Sequence, residues 1–460
     1  MIDVGLQGFV NSGEGPSLVP WDIGHPTHVA ILGGDTAFWA LVPQRRLSEV
    51  LFDGALLREY GVKRELFAKE MSRLRFGLTP SCVYFNPTER CNLNCIYCYL
   101  PSSQRRDGMH MSVADTLAAM ETLHAYFSGH MPPGRLPQVV FHGAEPLLNR
   151  DAVMAAIGRY SDKIRFGIQT NATLLDGSAV DFLVRHRVAI GLSLDGSDSE
   201  VSDATRKTWS GEGTHHSVVK ALQRLHGYPD YSVICTITKH NVRHLNAMVE
   251  YLHAAQVPTC MLNALRCTMP GSVALRPDDH EVASHLLSAL DRSHELYRST
   301  GRKLVVANFA NALLTILAPT ARRQMCDISP CGAGRSFFAL AANGDLYPCS
   351  EFIGMPGFCG GNLARNGITE VLGSENFRSI STRKVEEIDH CKACAIRHFC
   401  GAPCPAEAHA RKGNPCERGS YCRLYEEQTR YAFRVIADKR ADEYLWNDWT
   451  VGTSVSFGHS

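Results

Sequence analysis

Between residues 81 and 310, short apolar runs alternate with longer stretches in which apolar residues recur every three or four positions. The runs Cys82–Phe85, Gln138–His142, Ile164–Gln169, Ala189–Leu194, Tyr231–Ile237 and Thr259–Asn263 read as strands. The stretches between them read as helices. One begins at Ser112, a good N-cap, carries Val113, Leu117, Met120 and Leu123 on one stripe and stops at Gly129. Another carries Val282, Leu286 and Leu290. Strands alternating with amphipathic helices predict a parallel sheet. Six such repeats, with chemistry at the C-terminal strand ends, predict an α/β fold of the partial, six-strand β/α barrel type.

The pattern differs on either side of this unit. Residues 1–80 hold two β-prone runs, His28–Leu32 and Thr36–Val42, around a Gly33-Gly34-Asp35 turn, then a helical stretch from Leu47 to Leu74. Such a hairpin-plus-helix module either docks a peptide by strand addition or caps the barrel. From 311 to 430 periodicity weakens, and Cys, Gly and Pro dominate, the texture of a segment held by metal rather than by an apolar core. A helix from Leu424 to Ala437 leads into a tail, residues 431–460, where Trp446 and Trp449 are expected to pack on the body.

Composition narrows the class. Forty-seven basic residues nearly cancel 46 acidic ones, and a net charge of +1 predicts no nucleic-acid partner and no anionic membrane surface. No apolar run approaches roughly 18 residues, so no spanning helix is expected. The N-terminus, Met1-Ile-Asp-Val-Gly, lacks the pattern of a secretion signal, which points to the cytoplasm. Seventeen cysteines, an odd number, argue against a complete disulfide framework and for metal or redox chemistry in a reducing compartment.

Those cysteines are grouped. Cys91, Cys95 and Cys98 follow the first barrel strand with three and two residues between them. Three thiolates are one short of a tetrahedral site. They fit a zinc ion that borrows a ligand, or an iron–sulfur cube that keeps one iron open for a small molecule.

The triplet, with Tyr97 before its last cysteine, resembles the signature of the radical S-adenosylmethionine (SAM) superfamily. The resemblance implies that the open iron chelates SAM, whose reductive cleavage yields a radical able to take hydrogen from an unactivated C–H bond. Later runs resemble that family's motifs in order. Val139-Val-Phe-His-Gly143-Ala144-Glu145-Pro146 is similar to its Gly-Gly-Glu-Pro motif, which implies that backbone groups and Glu145 receive the SAM ammonium. Ala144 replaces a glycine and requires an ordinary φ there. Gln169-Thr-Asn171 resembles a third-strand motif. Gly191-Leu-Ser193-Leu-Asp195-Gly196 resembles the fourth-strand motif, whose serine meets the SAM ribose. Asp203-Ala-Thr-Arg206 resembles a run whose arginine approaches the SAM carboxylate, although Ser202 stands where relatives have His. Tyr97 and residues 233–236 would line the adenine pocket through their backbone.

Ten more cysteines lie between 326 and 422, in an order similar to the SPASM domain. That resemblance implies two auxiliary [4Fe-4S] clusters, three in all. The first would use Cys326, Cys331, Cys349 and Cys404. The second would use Cys391, Cys394, Cys400 and Cys422, with Cys416 competing for the last place. Each would be fully ligated, which favours electron transfer. Cys82, Cys235 and Cys260 read as small core residues, and Cys267, Cys359 and Cys416 stay without a role.

The whole resembles ribosomal-peptide maturases and anaerobic sulfatase maturases. It implies a precursor peptide as substrate and a cytosolic reductant such as flavodoxin or ferredoxin. The favoured expectation is a thioether or carbon–carbon cross-link. Formylglycine formation is disfavoured because Ser350 stands where sulfatase maturases carry an aspartate, and Glu351 is expected to point differently. Epimerisation, and a non-catalytic iron–sulfur scaffold or electron carrier, are the remaining alternatives.

Overall fold

The computed structural model describes residues 17–327, 329–400, 404–450 and 458–459. The Gly/Pro-rich lead before residue 17 and most of the polar tail lie outside the described residues. The N-terminal module opens with β1 (Leu18–Trp21), β2 (His28–Gly33) and β3 (Trp39–Pro43), then α1 (Leu47–Asp53) and α2 (Ala55–Phe76). The helical stretch read from the sequence is therefore two helices. They are parted at Gly54, whose φ of +64° is left-handed and suits glycine. The predicted hairpin is a three-stranded antiparallel meander, because β1 pairs with β2 in addition to β2 with β3.

The central unit follows as β4 (Cys82–Phe85), α3 (Ser102–Asp107), α4 (Val113–His130), β5 (Gln138–Phe141), α5 (Arg150–Tyr160), β6 (Arg165–Thr170), α6 (Gly177–Arg185) and β7 (Ala189–Ser193). It continues with α7 (Ser199–Asp203), α8 (His215–Arg224), β8 (Tyr231–Ile237), α9 (Leu245–Ala254), β9 (Thr259–Ala264) and α10 (Asp279–Thr300). Strands β4 to β9 lie side by side in chain order and are all parallel. Helix α4 is capped by Ser112, whose side chain accepts from Asp115 N, and it runs one residue past the predicted stop at Gly129. Along the middle of the sheet Phe85, Phe141 and Phe166 stack with centroids 5.5 and 5.7 Å apart, filling the space between strands and helices.

The sheet is larger than the six strands expected. On one edge β10 (Val305–Val306) pairs in parallel with β9, before α11 (Ala307–Leu317). On the other, β11 (Phe337–Leu340) pairs in parallel with β4, and β12 (Asp345–Tyr347) and β13 (Gly361–Asn362) extend it. The cysteine-rich segment thus adds three strands to the barrel sheet, which with β10 has ten, and α11 runs across the predicted boundary at 310. The chain ends with α12 (Ile368–Leu372), α13 (Glu375–Ser381), α14 (Pro405–Lys412), α15 (Cys422–Ala437), α16 (Ala441–Tyr444) and β14 (Gly458–His459), the last pairing with β3. Trp446 and Trp449 pack against the main core, as expected for a tail folded onto the body.

Arg75 at the end of α2 grips Glu386 with two hydrogen bonds, 2.8 and 2.9 Å, tying the N-terminal module to the cysteine-rich segment. Burial pushes the Glu386 carboxyl up, but the hydrogen bond and charge of Arg75 outweigh it and bring it down to about 2. Stability from this pair is therefore complete above the ordinary carboxyl range and is lost as pH falls from there through about 2. We expect Glu386→Gln to lower the melting temperature at pH 7, with the gap to wild type narrowing below the ordinary carboxyl range and closing only as pH falls to about 2. An equal gap at both pH values would contradict this.

Candidate functional site

The triplet loop begins where β4 ends. Its backbone is fastened on two sides. Asn94 N donates to Lys207 O at 2.7 Å and Ile96 N to Thr205 O at 3.1 Å. Cys91 N donates to Arg105 O at 2.8 Å, and the buried Arg105 guanidinium returns to Leu93 O and Leu100 O. Trp209 Nε1 donates to Cys91 O at 2.9 Å. Burial pushes the Cys91 thiol up to about 12, with the Glu145 carboxylate adding and the Leu93 N–H opposing. Burial also raises Cys95 and Cys98, against the charges of Arg206 and Arg105. Three thiols with raised pKa values lose their protons when a metal group supplies positive charge.

Two buried carboxylates set the ground around this loop. Glu145, fully buried, accepts from Leu147 N at 3.1 Å, Thr170 Oγ1 at 2.8 Å and Asn171 N at 2.8 Å, so it locks the end of β5 to the end of β6. Three of its four lone-pair positions are taken, which leaves one for the ammonium group that the family resemblance implies there. Asn171, to which the sequence reading gave no role, carries the link on. Its Nδ2 donates to Asn92 Oδ1 at 2.9 Å and reaches to 3.9 Å from Cys91 Sγ. Gly143 has φ +98°, and a Cβ there would lie 2.3 Å from Asn86, so the turn needs glycine. Ala144 has no positive φ, as its side chain demands.

Asp195 is the second. Just past β7, it accepts from the Tyr97 hydroxyl at 2.6 Å, Thr205 Oγ1 at 3.1 Å and Thr236 N at 2.9 Å. Arg206 Nη1 donates to the Tyr97 oxygen at 2.5 Å and lies 3.8 Å from Asp195 Oδ2. The Tyr97 hydroxyl therefore joins Asp195 to Arg206, a link the sequence reading did not include. Arg206 is 7% exposed, and its Nε has no hydrogen-bond partner among the described residues. A buried, unanswered donor on a cation beside a cysteine loop fits an anionic group such as the SAM carboxylate. Ser193 is half-buried at the end of β7, paired across to Ile234 of β8.

The cysteine-rich segment brings four thiols into one electrostatic neighbourhood. The Cys326 thiol hydrogen-bonds Cys331 and holds it down to about 6 against burial, with Arg383 and Arg335 helping. Burial raises Cys349, with Cys331 and Glu351 adding. Burial also pushes Cys404 up to about 11, opposed by Arg266, with Cys331 again among its neighbours. A second neighbourhood joins Cys391 and Cys394 to Cys422, whose charge acts on both. Cys400 is half-buried and packs on the main core; Cys416 is half-buried, with its N–H on Asn414. Among the described residues, no three His, Cys, Asp or Glu side chains converge on one metal ion. The donor sets are groups of thiols, the ligands that iron–sulfur clusters take. Cys235 and Cys260 are buried in the sheet, as read from the sequence, and Cys82 is half-buried there.

Ser350 is buried, and its hydroxyl has no partner among the described residues. The Glu351 carboxyl, by contrast, points inward: Thr268 Oγ1 lies 3.5 Å away, and its charge acts on Tyr99 next to the triplet and on Cys349. Burial pushes it up to about 7, with Arg266 opposing and Glu407 adding. Spacing alone carried no signal for this, because the direction of residue 351 depends on the short 3-10 helix Ser350–Phe352.

Family comparisons agree with the geometry. Residues 85–252 match the radical SAM superfamily, and residues 331–395 match an iron–sulfur cluster-binding domain, SPASM. An uncharacterised protein of Archaeoglobus fulgidus is 38% identical over 88% of this chain and 92% of its own. The cysteine-type anaerobic sulfatase-maturating enzyme of Clostridium perfringens is 25% identical, covering 75% of this chain and 93% of its own. Mycofactocin maturase MftC of Mycolicibacterium smegmatis is 25% identical, covering 71% and 78%. Among solved structures, native anSMEcpe with bound AdoMet and Cp18Cys peptide superposes with a TM-score of 0.67 at 21% identity, covering 79% of this chain and 99% of that one. The chain belongs to the radical SAM superfamily and carries a SPASM domain. Its cofactors are [4Fe-4S] clusters and SAM. Among the described residues, no helix is long and apolar enough to cross a membrane.

The Asp195 network can be tested without substrate. Asp195→Asn removes the buried counter-charge of Arg206, and we expect about 3–5 kcal/mol of lost stability, read as an earlier denaturant midpoint, together with weaker SAM binding. An unchanged midpoint would show that the ion pair is not needed.

Proposed function

We propose that this protein is a maturase that acts on a ribosomally made peptide and closes a thioether or carbon–carbon cross-link in it. The observation that carries this reading is the pairing of the two matched families in one chain that is similar over most of its length to relatives named as maturases. In this reading Cys91, Cys95 and Cys98 hold the SAM-binding cluster. Gly143, Ala144, Glu145, Tyr97, Ser193 and Arg206 bind SAM. Cys326, Cys331, Cys349 and Cys404 hold one auxiliary cluster, and Cys391, Cys394, Cys400 and Cys422 the other. Cys422 is preferred over Cys416 because its charge reaches both Cys391 and Cys394. When bound, cluster and SAM supply the hydrogen-abstracting radical. The chain's own residues fix the loop: Asp195 orients Tyr97 and Arg206, while Glu145 and Asn171 hold the opposite side. Residues 81–310 form the catalytic unit, 311–430 the auxiliary domain and 431–460 the tail. The N-terminal 80 residues cap the barrel or dock the peptide, and a cytosolic flavodoxin or ferredoxin serves as reductant.

One observation favours a second reading, side-chain oxidation to formylglycine. An inward carboxylate at Glu351 stands near the position where Ser350 lacks one. Two measurements decide. Wild type incubated anaerobically with SAM and a strong reductant is expected to release 5'-deoxyadenosine, and Cys95→Ala none; no release from a loaded, reduced wild type would reject an enzyme of this class. Mass spectrometry of the peptide encoded beside the gene, after co-expression, is expected to show loss of two hydrogens and no aldehyde. An aldehyde-reactive product would replace the cross-link with oxidation, and no change in mass would point to epimerisation. About twelve irons per chain are expected from three cubes.

A further inference from the structure

Asn171 lies just past β6 and is buried, and the polar atoms of its side chain are all committed. Its Oδ1 accepts from Thr173 N at 3.0 Å and from Thr173 Oγ1 at 2.6 Å. Its Nδ2 therefore faces the other way, with two hydrogens to give. One goes to Asn92 Oδ1 at 2.9 Å, and the other serves the Cys91 sulfur, 3.9 Å away. Asn92 Nδ2 closes a ring by donating to Thr173 Oγ1 at 2.8 Å. Turning the Asn171 amide over would set donor against donor and acceptor against acceptor, so the ring fixes which end meets the sulfur. The turn that brings Thr173 round is itself unfavourable. Ala172 has φ +67°, in the left-handed region, and is buried. Such a conformation persists where its surroundings over-determine it, and it collects at functional sites. Leu93 N gives the same sulfur a second donor at 3.4 Å. Among the described residues, Cys91 is the only triplet cysteine whose sulfur has a side-chain donor.

We propose that Asn171 raises the reduction potential of the SAM-binding cluster through a hydrogen bond to the Cys91 sulfur, aimed by the ring with Asn92 and Thr173. This rests on the assignment of Cys91, Cys95 and Cys98 to that cluster. The potential of an iron–sulfur cluster follows the hydrogen bonds to its sulfurs, and groups behind the ligands tune the metal they hold. A donor at sulfur favours the reduced form, because that form carries the more negative charge. The backbone of the same residue donates to Glu145 Oε2 at 2.8 Å, so Asn171 stands between a cluster ligand and the acid that the resemblance gives to SAM. Asn171 is a positioning residue: it acts through Cys91 and not on the peptide.

The test uses the full chain, loaded anaerobically and kept free of SAM. Potentiometric titration followed by electron paramagnetic resonance reads every cluster. The same chain with Cys91, Cys95 and Cys98 replaced by alanine supplies the auxiliary signal, which is subtracted. Asn171→Leu keeps the size of the side chain and removes its donor. Thr173→Val leaves Asn171 in place and removes the hydroxyl that aims it. At the midpoint potential of the parent, Asn171→Leu is expected to shift the oxidised-to-reduced ratio of the triplet cluster about fivefold toward oxidised, the worth of one hydrogen bond. At about 59 mV per tenfold for one electron, that is roughly 41 mV. Thr173→Val is expected to shift it the same way by less, and the auxiliary midpoints are expected to stay where they are. A triplet potential equal to or above the parent's, at equal iron content, would overturn the proposal. So would an equal shift of all clusters, or loss of the triplet's iron from both variants, since each marks a general loosening of the site. If one variant alone keeps its iron, that variant decides on the same terms. If the alanine chain holds as much iron as the parent, instead of about four atoms fewer, the triplet assignment fails first and the role of Asn171 with it.

Discussion

Two buried carboxylates at the C-terminal edge of the sheet hold the rest of the site in place. Where parallel strands end, backbone groups lose their ladder partners and must find others. Glu145 answers two backbone N–H groups beyond β5 and β6, and Asp195 answers Thr236 N on β8. Each carboxylate then reaches outward to one side of the triplet loop, Glu145 through Asn171 and Asn92, Asp195 through Tyr97. The cysteines are thus held at the strand ends by groups that also finish the sheet. Removing either acid would disturb strand termini and metal site together. This coupling explains why the loop, which has no regular structure of its own, keeps a defined place.

Electrostatics divides the thiols from their setting. Around the triplet, burial raises all three cysteines while Arg105 and Arg206 stand by. In the cysteine-rich segment Arg266, Arg335, Arg383 and Arg418 each act on one or more cysteines. In both places arginine side chains stand beside the cysteines and favour their thiolate forms. The burial of Arg335, beside Arg75, Arg383 and Arg322, lowers its pKa to about 10, against the pull of Cys331. Its surroundings gather positive charge.

Much of the central unit was legible because its signals are local. The runs at Cys82–Phe85 and Tyr231–Ile237 coincide with β4 and β8, and the other four barrel strands end within one residue of the apolar runs. Polar neighbours blur those ends. The cysteine groups were legible from spacing alone. What escaped depends on distant partners. β11 is recognisable only beside β4, and the break at Gly54 was masked by continuous helical residues on both sides. Asp195 and Asn171 sat inside quoted motifs, yet nothing in their spacing said that they would tie strand ends to the cysteine loop. A polar residue directly after a buried strand was the available clue.

The parallel pairing of β11 with β4 has a consequence for how the molecule can be divided. Phe337 to Leu340 cover the whole length of Cys82 to Phe85. A chain cut after the barrel would present that strand, apolar and unpaired, to any other chain with an open edge. The catalytic unit and the cluster-bearing segment are therefore not modules on a tether. They share a single fabric woven edge to edge, and the loop that follows β4 takes its footing from both.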